Sequence, residues 1–240
     1  MEKIDIHCHI LPGIDDGSGS EDESMQMLKS AYSQGICSVI ATPHASPEYP
    51  DSRPEVILEL CARLQEKAQK EIASEFRVYP GQEILSTDSV PENLEAGRLL
   101  PLADSAYVLI EFFPSTPYSS IYRVVREFGM TAYMPVLAHI ERYESLREEG
   151  RVEELIRTGA YMQMNYRMIG GRWYDQSVRW CREMLKAGNI HFLATDMHHT
   201  AYRAPETEAA SGWLQKHLDE AYLEDICCQN AQRLLRNIRI

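Results

Sequence analysis

No stretch of this chain is long and apolar enough to cross a bilayer; the longest apolar pieces are strand-sized, such as AYVLI at 106–110. The expectation is a protein without membrane insertion. Positive charge is scarce as well. The 24 Lys and Arg stand against 36 Asp and Glu, and a formal net charge of −12 argues against general affinity for DNA, RNA or anionic membrane. A phosphate-bearing substrate would need local positive charge, from metal or arginine. The six cysteines are scattered except for the adjacent pair Cys227 and Cys228, with no CxxC spacing and no secretory apolar region at the start. They read as reduced thiols of a cytoplasmic protein. Nothing resembles a nucleophilic cysteine followed by a phosphate-cradling loop and an arginine, and Cys8 is assigned to packing. Repeats, low-complexity tracts and linkers are also missing. The proline-rich piece HASPEYPDSRP at 44–54 reads as a loop beside a site rather than a boundary.

What is present fits one α/β domain over 1–240: at 240 residues and 44% hydrophobic, the chain can bury a full core. Seven β-rich runs recur, namely KIDIHC, SVIATP, FRVYPGQE, YVLIEF, YMPVLAH, YMQMN and HFLATD. Helical stretches lie between them. The cleanest, EDESMQMLKSAYSQG, has acidic residues at its start, Met25, Leu28, Ala31 and Tyr32 at helical spacing, and Gly35 as its stop. Strands alternating with helices predict right-handed βαβ units and a mostly parallel sheet.

Candidate metal ligands fall on one edge of that map. In IDIHCHI, alternation puts His7 and His9 on one strand face while Cys8 turns away, so two imidazoles converge from one rigid element. His44 follows the second run, and Glu83, Glu111, His139 and Asp196 end the third, fourth, fifth and seventh. In a barrel those C-terminal strand ends form one face, where active sites sit. A glutamate inside VLIEFF would cost several kcal/mol to bury unpaired, so a cation or a buried partner is expected there. His191 and His217 read as surface or packing residues. His198 is chosen over His199, because adjacent side chains seldom aim at one point. Gln163 and Asn165 share a strand face and are expected to support the ligands.

The order HxH, DDGS, TPH, GQE, IEF, AHIERY, QMN, TDMHH resembles the polymerase and histidinol phosphatase (PHP) superfamily. It is similar, more narrowly, to the bacterial metal-dependent tyrosine phosphatases of the CpsB/YwqE type, over nearly the whole chain. The chain departs from many relatives in ATPHAS, in ILPGIDDGS and in the Asn-Ala of CCQNAQRLL, none of which removes a ligand. The resemblance implies a distorted (β/α)7 TIM-like barrel and three divalent metals, most often Mn2+, with Fe or Zn as alternatives. It implies a first metal on His7, His9, Glu83 and Asp196, a second on Glu83, Glu111 and His139, and a third on Asp16, His44 and His198. Arg142 and Arg203 follow ligands on the same rim and are expected to bind phosphoryl oxygens with their planar forks.

The implied activity is hydrolysis of phosphotyrosine on the tail of a bacterial tyrosine kinase of capsule or exopolysaccharide synthesis, by metal-activated hydroxide without a phosphoenzyme. Tyr118, Tyr122, Tyr143, Tyr166 and Trp173 are candidates to stack the phenyl ring. The competing readings are a small-molecule phosphomonoesterase, such as one acting on histidinol phosphate, and a non-catalytic metal-stabilised protein that docks to a kinase. Relatives include oligomers, so a homo-oligomer is compatible with the resemblance.

Overall fold

The computed structural model describes residues 2–87 and 89–240. The strands follow the expected runs: β1 (Lys3–Cys8), β2 (Ile36–Ala41), β3 (His44–Ala45), β4 (Arg77–Pro80), β5 (Glu83–Leu85), β6 (Tyr107–Glu111), β7 (Met134–Leu137), β8 (Tyr161–Asn165) and β9 (Phe192–Ala194). Two of the seven runs differ in extent. The second stops at Ala41, short of Thr42 and Pro43, where proline offers no N–H to a neighbour, and the short β3 lies beyond the expected run; the third is interrupted at Gly81 and Gln82. Every pairing is parallel, in the orders β1-β2-β4 and β3-β5-β6-β7-β8-β9. The sheet curls until β9 lies beside β1. Cys8 bridges to Met197, the Asp196 N–H donates to the His7 carbonyl at 2.9 Å, and the His9 N–H donates to the Met197 carbonyl at 2.9 Å.

Helices α1 (Glu21–Ser33), α2 (Pro54–Glu71), α3 (Val90–Glu95), α4 (Tyr118–Phe128), α5 (Arg151–Thr158), α6 (Tyr166–Ile169) and α7 (Gln176–Lys186) occupy the connections between strands. After the last strand come α8 (Glu208–His217), α9 (Glu220–Glu224) and α10 (Asn230–Leu235), with a π-helical turn at Asp225–Gln229 between the last two. The first helix shows how local sequence sets these bounds. Ser20 caps it by accepting from the Glu23 N–H, three acidic residues sit in its first turn, and Gly35 leaves it with φ +87°, a conformation open to glycine without strain. Met25, Leu28 and Ala31 are buried as the spacing predicts; Tyr32 lies at the edge, against the Phe76 ring. Among the described residues, no helix is long and apolar enough to cross a membrane.

Strand alternation sorts the core from the site. On β6, Val108 and Ile110 pack in one apolar cluster and Tyr107 and Leu109 in another, and Glu111 continues the parity of the latter pair. On β8, Met162 and Met164 join the first cluster and Tyr161 the second, so Gln163 and Asn165 stay on the Tyr161 side. A polar layer is thereby stacked above an apolar one.

Asp5 was not singled out in the sequence, yet it ties β1 to β9. Its buried carboxylate accepts from the Thr195 N–H at 3.1 Å, from the Thr195 hydroxyl and from the His7 N–H at 3.3 Å. Burial outweighs these bonds and raises the Asp5 carboxyl from 3.8 to about 6. The folded state therefore holds this proton more tightly than the unfolded chain. That contribution to stability is complete below about pH 4 and is lost as pH rises through about 6. Asp5→Asn keeps an acceptor and does not titrate. In chelator-treated protein, urea unfolding should show the gap between variant and wild type moving in favour of the variant by roughly 2 kcal/mol from pH 4.5 to pH 7. A gap that does not change with pH would contradict the assignment.

Candidate metal centre

Five imidazoles and four carboxylates meet at the C-terminal ends of the strands. Four of the histidines are built alike, with Nδ1 anchored outward and Nε2 facing the centre. His7 Nδ1 donates to Gln163 Oε1 (3.1 Å), His9 Nδ1 to Asp15 Oδ2 (2.7 Å) and His198 Nδ1 to the Asp196 carbonyl (3.0 Å). His139 Nδ1 lies 3.4 Å from the Tyr143 hydroxyl, which also accepts from the Phe112 N–H. Such anchors fix the tautomer in which Nε2 keeps its lone pair, the form a metal requires. His44 differs, with Nδ1 at 3.1 Å from both Glu83 and Glu111 and Nε2 at 3.4 Å from Asp16.

Glu83 is the hub. Its oxygens lie 3.2 Å from His7 Nε2, 3.2 Å from His9 Nε2, 3.1 Å from His44 Nδ1 and 2.7 Å from His139 Nε2. Asp196 Oδ1 is 3.5 Å from His7 Nε2, and Glu111 Oε2 is 3.8 Å from His139 Nε2. Asp16, at the mouth, places Oδ1 3.4 Å from both His44 Nε2 and His198 Nε2. The donor atoms form four groups, each within 4.8 Å: His9, Asp16, His44 and His198; His7, His9 and Asp196; His7, Glu83 and His139; His44, Glu83 and Glu111. All nine residues singled out in the sequence are thus brought together. His199 is not among them; it pairs with Glu23 at 3.2 Å.

The turn after β1 explains why DDG follows HxH. Ser18 donates its N–H to the His9 carbonyl, folding the loop back over the strand, and a Cβ at Gly17 would stand 2.2 Å from the His9 carbonyl oxygen. Only glycine permits that approach. It places Asp15 under the His9 ring and Asp16 over the opening. Asp15 was not singled out in the sequence, where the resemblance pointed to Asp16 alone. Asp15→Asn is expected to weaken metal binding about 10–100-fold, by analogy with other partners of ligating histidines. A competition titration with a chelating dye would show it, and His199→Ala should bind as wild type does.

Three site residues adopt a left-handed backbone, His139 (φ 33°), Asp196 (φ 52°) and Arg203 (φ 51°). Two of them lie just past strand ends, where the turn aims the side chain inward at some conformational cost. Electrostatically the site is self-neutralising. Burial opposes ionisation of Glu83, yet His7 and His139 hold its carboxyl well below the usual range, and His7 and Arg142 do the same for Asp196. Burial also opposes protonation of His9, but Asp15 raises it to about 9, whereas burial and the His9 ring push His198 down to about 4. The buried Nε2 of His198 has no hydrogen-bond partner. A neutral, orphaned nitrogen aimed at carboxylates, in a nitrogen and oxygen donor set without thiolate, fits divalent cations of the Mn, Fe or Zn kind.

Both expected arginines reach the centre, on opposite sides of Asp196: Arg142 Nη2 bonds Oδ2 and Arg203 Nη2 bonds Oδ1 at 2.6 Å. Asn165 donates to Asp196 Oδ2 at 2.9 Å, and Gln163 links His7, the His139 N–H and Asn165. Beside the centre opens a cleft of about 380 Å³, lined at one end by His44, Glu111, His139 and Arg142; Arg203 does not line it. The aromatic candidates are a correction. Tyr143 and Tyr166 are buried, Tyr118 is tied to Glu154, Tyr122 packs against the core, and Trp173, though exposed, is outside the cleft lining. The aromatic walls are Tyr49, Phe112 and Phe113 instead. Side-chain direction after β6, rather than aromatic spacing, decided this. His191 and His217 stay away from the centre, on Met162 and Trp213 respectively.

Comparison with known proteins agrees with the geometry. Tyrosine-protein phosphatase YwqE of Bacillus subtilis is 34% identical over 239 residues, 98% of this chain and 92% of that protein. Tyrosine-protein phosphatase CpsB of Streptococcus pneumoniae is 32% identical, over 97% of this chain and 98% of its own. A chain from the crystal structures of YwqE and CpsB, described there as unique metal-dependent tyrosine phosphatases, superposes with a TM-score of 0.90 at 33% identity, covering 99% of this chain and 96% of that one. The capsular polysaccharide synthesis family CpsB/CapC matches residues 3–236, and this chain belongs to that family.

Proposed function

We propose that this protein is a metal-dependent protein-tyrosine phosphatase of a single PHP-type domain, 1–240, built as a distorted (β/α)7 barrel. The observation that carries the reading is the convergence of nine imidazole and carboxylate side chains beside a cleft whose charged end includes Arg142. The relatives of the preceding section are named for this activity. Divalent cations, three by the family pattern and most often Mn2+, would be held by His7, His9, Glu83 and Asp196, by Glu83, Glu111 and His139, and by Asp16, His44 and His198. Bound there, they would supply Lewis acidity, lowering the pKa of a water and neutralising phosphoryl oxygens.

The protein's own residues do the rest. Arg142 offers its fork to phosphoryl oxygens at the charged end of the cleft, Gln163 and Asn165 hold the ligand side chains in register, and Asp15 and Tyr143 fix two imidazoles. A cysteinyl phosphoenzyme has no support. Cys8 is buried, donates to the Ile40 carbonyl and has its thiol pKa pushed well up by burial, and no cysteine lines the cleft. Water then supplies the oxygen, and the products are inorganic phosphate and the free phenol.

The physiological substrate in this reading is a phosphotyrosine-bearing tail of a cytoplasmic bacterial tyrosine kinase. The test is phosphate release with Mn2+ from such a peptide beside histidinol phosphate, each with a chelator control. Chelator-sensitive turnover that favours the peptide is expected. Preference for the small ester would assign the same centre to metabolism, and no turnover of either would favour a non-catalytic docking protein.

A further inference from the structure

The charged end of the cleft accounts for a phosphoryl group and leaves its other walls unexplained. Apart from Ser46 and Glu48, those walls are Pro47, Tyr49, Leu85, Phe112, Phe113 and Pro114. Phe112 and Phe113 are adjacent in the chain but opposite in exposure. Phe112 turns inward, edge-on to Tyr143 with ring centroids 5.9 Å apart and its N–H bonded to the Tyr143 hydroxyl, while Phe113 is 63% exposed. A large apolar side chain left mostly exposed beside the candidate centre is a contact surface awaiting a ligand. Its position is held by a turn in which the Thr116 N–H donates to the Phe113 carbonyl at 2.9 Å. Tyr49, also in the cleft lining, lies on the His44 ring, 13° from parallel with centroids 5.4 Å apart, in a loop held by the bonds Tyr49 N–H to Ser46 carbonyl and Ser52 N–H to Tyr49 carbonyl.

We propose that Phe113 and Tyr49 form an aryl clamp that selects phosphorylated phenols over alkyl phosphates, an inference that rests on the phosphatase reading above. One polar end and two aromatic walls match an aryl phosphate in sequence: phosphoryl oxygens toward Arg142 at the end that holds the candidate metal ligands His44, Glu111 and His139, ring between the clamp residues. An alkyl phosphate satisfies the first half only. Aromatic pairs prefer offset or edge-on contact, so a phenyl ring gains from either wall what an alkyl chain does not.

The experiment compares KM for phenyl phosphate and for glycerol phosphate in Mn2+-loaded wild type, Phe113→Ala, Phe113→Trp and Tyr49→Ala, with inhibition by inorganic phosphate measured alongside. Phe113→Ala and Tyr49→Ala should raise KM for phenyl phosphate about tenfold while leaving glycerol phosphate and inorganic phosphate within about twofold, and Phe113→Trp should retain the aryl preference. If both alanine variants keep the wild-type ratio, or lose both substrates and inorganic phosphate together, the clamp is overturned while the phosphatase reading stands. A wild type that shows no preference for phenyl phosphate overturns the clamp and the tyrosine reading together.

Discussion

Glu83→Gln is expected to lose its metal and its turnover together while keeping its fold. The carboxylate stands within 3.2 Å of imidazole nitrogens from His7, His9, His44 and His139, residues carried by three different stretches of chain. An amide of the same shape brings one neutral oxygen and a pair of donors that would point at imidazole nitrogens needed as lone pairs. Loss of the charge at the shared position is expected to cost about a thousandfold or more in turnover. The fold survives for a specific reason. Removing a buried anion leaves its imidazole partners free to shed protons, so no unpaired buried charge persists. Metal content by atomic emission, near-UV circular dichroism and phosphate release, measured on one preparation, decide the matter. Normal turnover at matched metal content would sink Glu83 as the shared ligand.

The second large effect separates the arginines. Arg142→Ala should keep its metals and weaken inhibition by inorganic phosphate about 10–100-fold, the worth of a lost charge-assisted pair of bonds. Arg142→Lys should recover only part of it, because an ammonium cannot reproduce the planar fork. Arg203→Ala should lose less phosphate affinity, since Arg203 does not line the cleft and spends its guanidinium on Asp196 and, at 4.0 Å, on Asp16. If Arg203→Ala instead loses more phosphate affinity than Arg142→Ala, the phosphoryl group sits on the Asp16 side. Loss of metal from Arg142→Ala would mean that its bond to Asp196 positions a ligand rather than a substrate.

Eight of the nine candidate ligands were readable because buried charge is rare and strand ends are punctuated; the ninth, Asp16, came from the family resemblance. Glu111 inside VLIEFF and His7 with His9 across one strand face announce a polar centre wherever the chain goes next. Asp15, Glu141 and Asp5 were not readable. Asp15 differs from Asp16 only in the direction set by the Gly17 turn, and Asp5 looks like any strand aspartate until Thr195, far along the chain, arrives beside it. Glu141 is buried at the end of the AHIE stretch with one oxygen lacking a partner, and burial lifts its carboxyl to about 7. An exposed helical turn would have been the plain expectation for it. The aromatic walls failed for a related reason. Side chains on loops take their direction from tertiary turns, so Tyr49 and Phe113 gave no periodic signal.

The sequence by itself determined the inventory and the layer. Alternation of apolar runs with helical stretches implied parallel strands, and the chemistry-bearing residues at the C-terminal ends of those runs implied one active face, because parallel strands place those ends together whatever their order. Only the tertiary structure decided which nitrogen of each histidine faces inward, which aspartate of the DDG pair supports and which reaches, and which arginine borders the cleft. Those choices depend on hydrogen bonds between residues far apart in the chain, such as Gln163 on His7 and Asn165 on Asp196. Such partners become neighbours only when the sheet curls and β9 returns to β1.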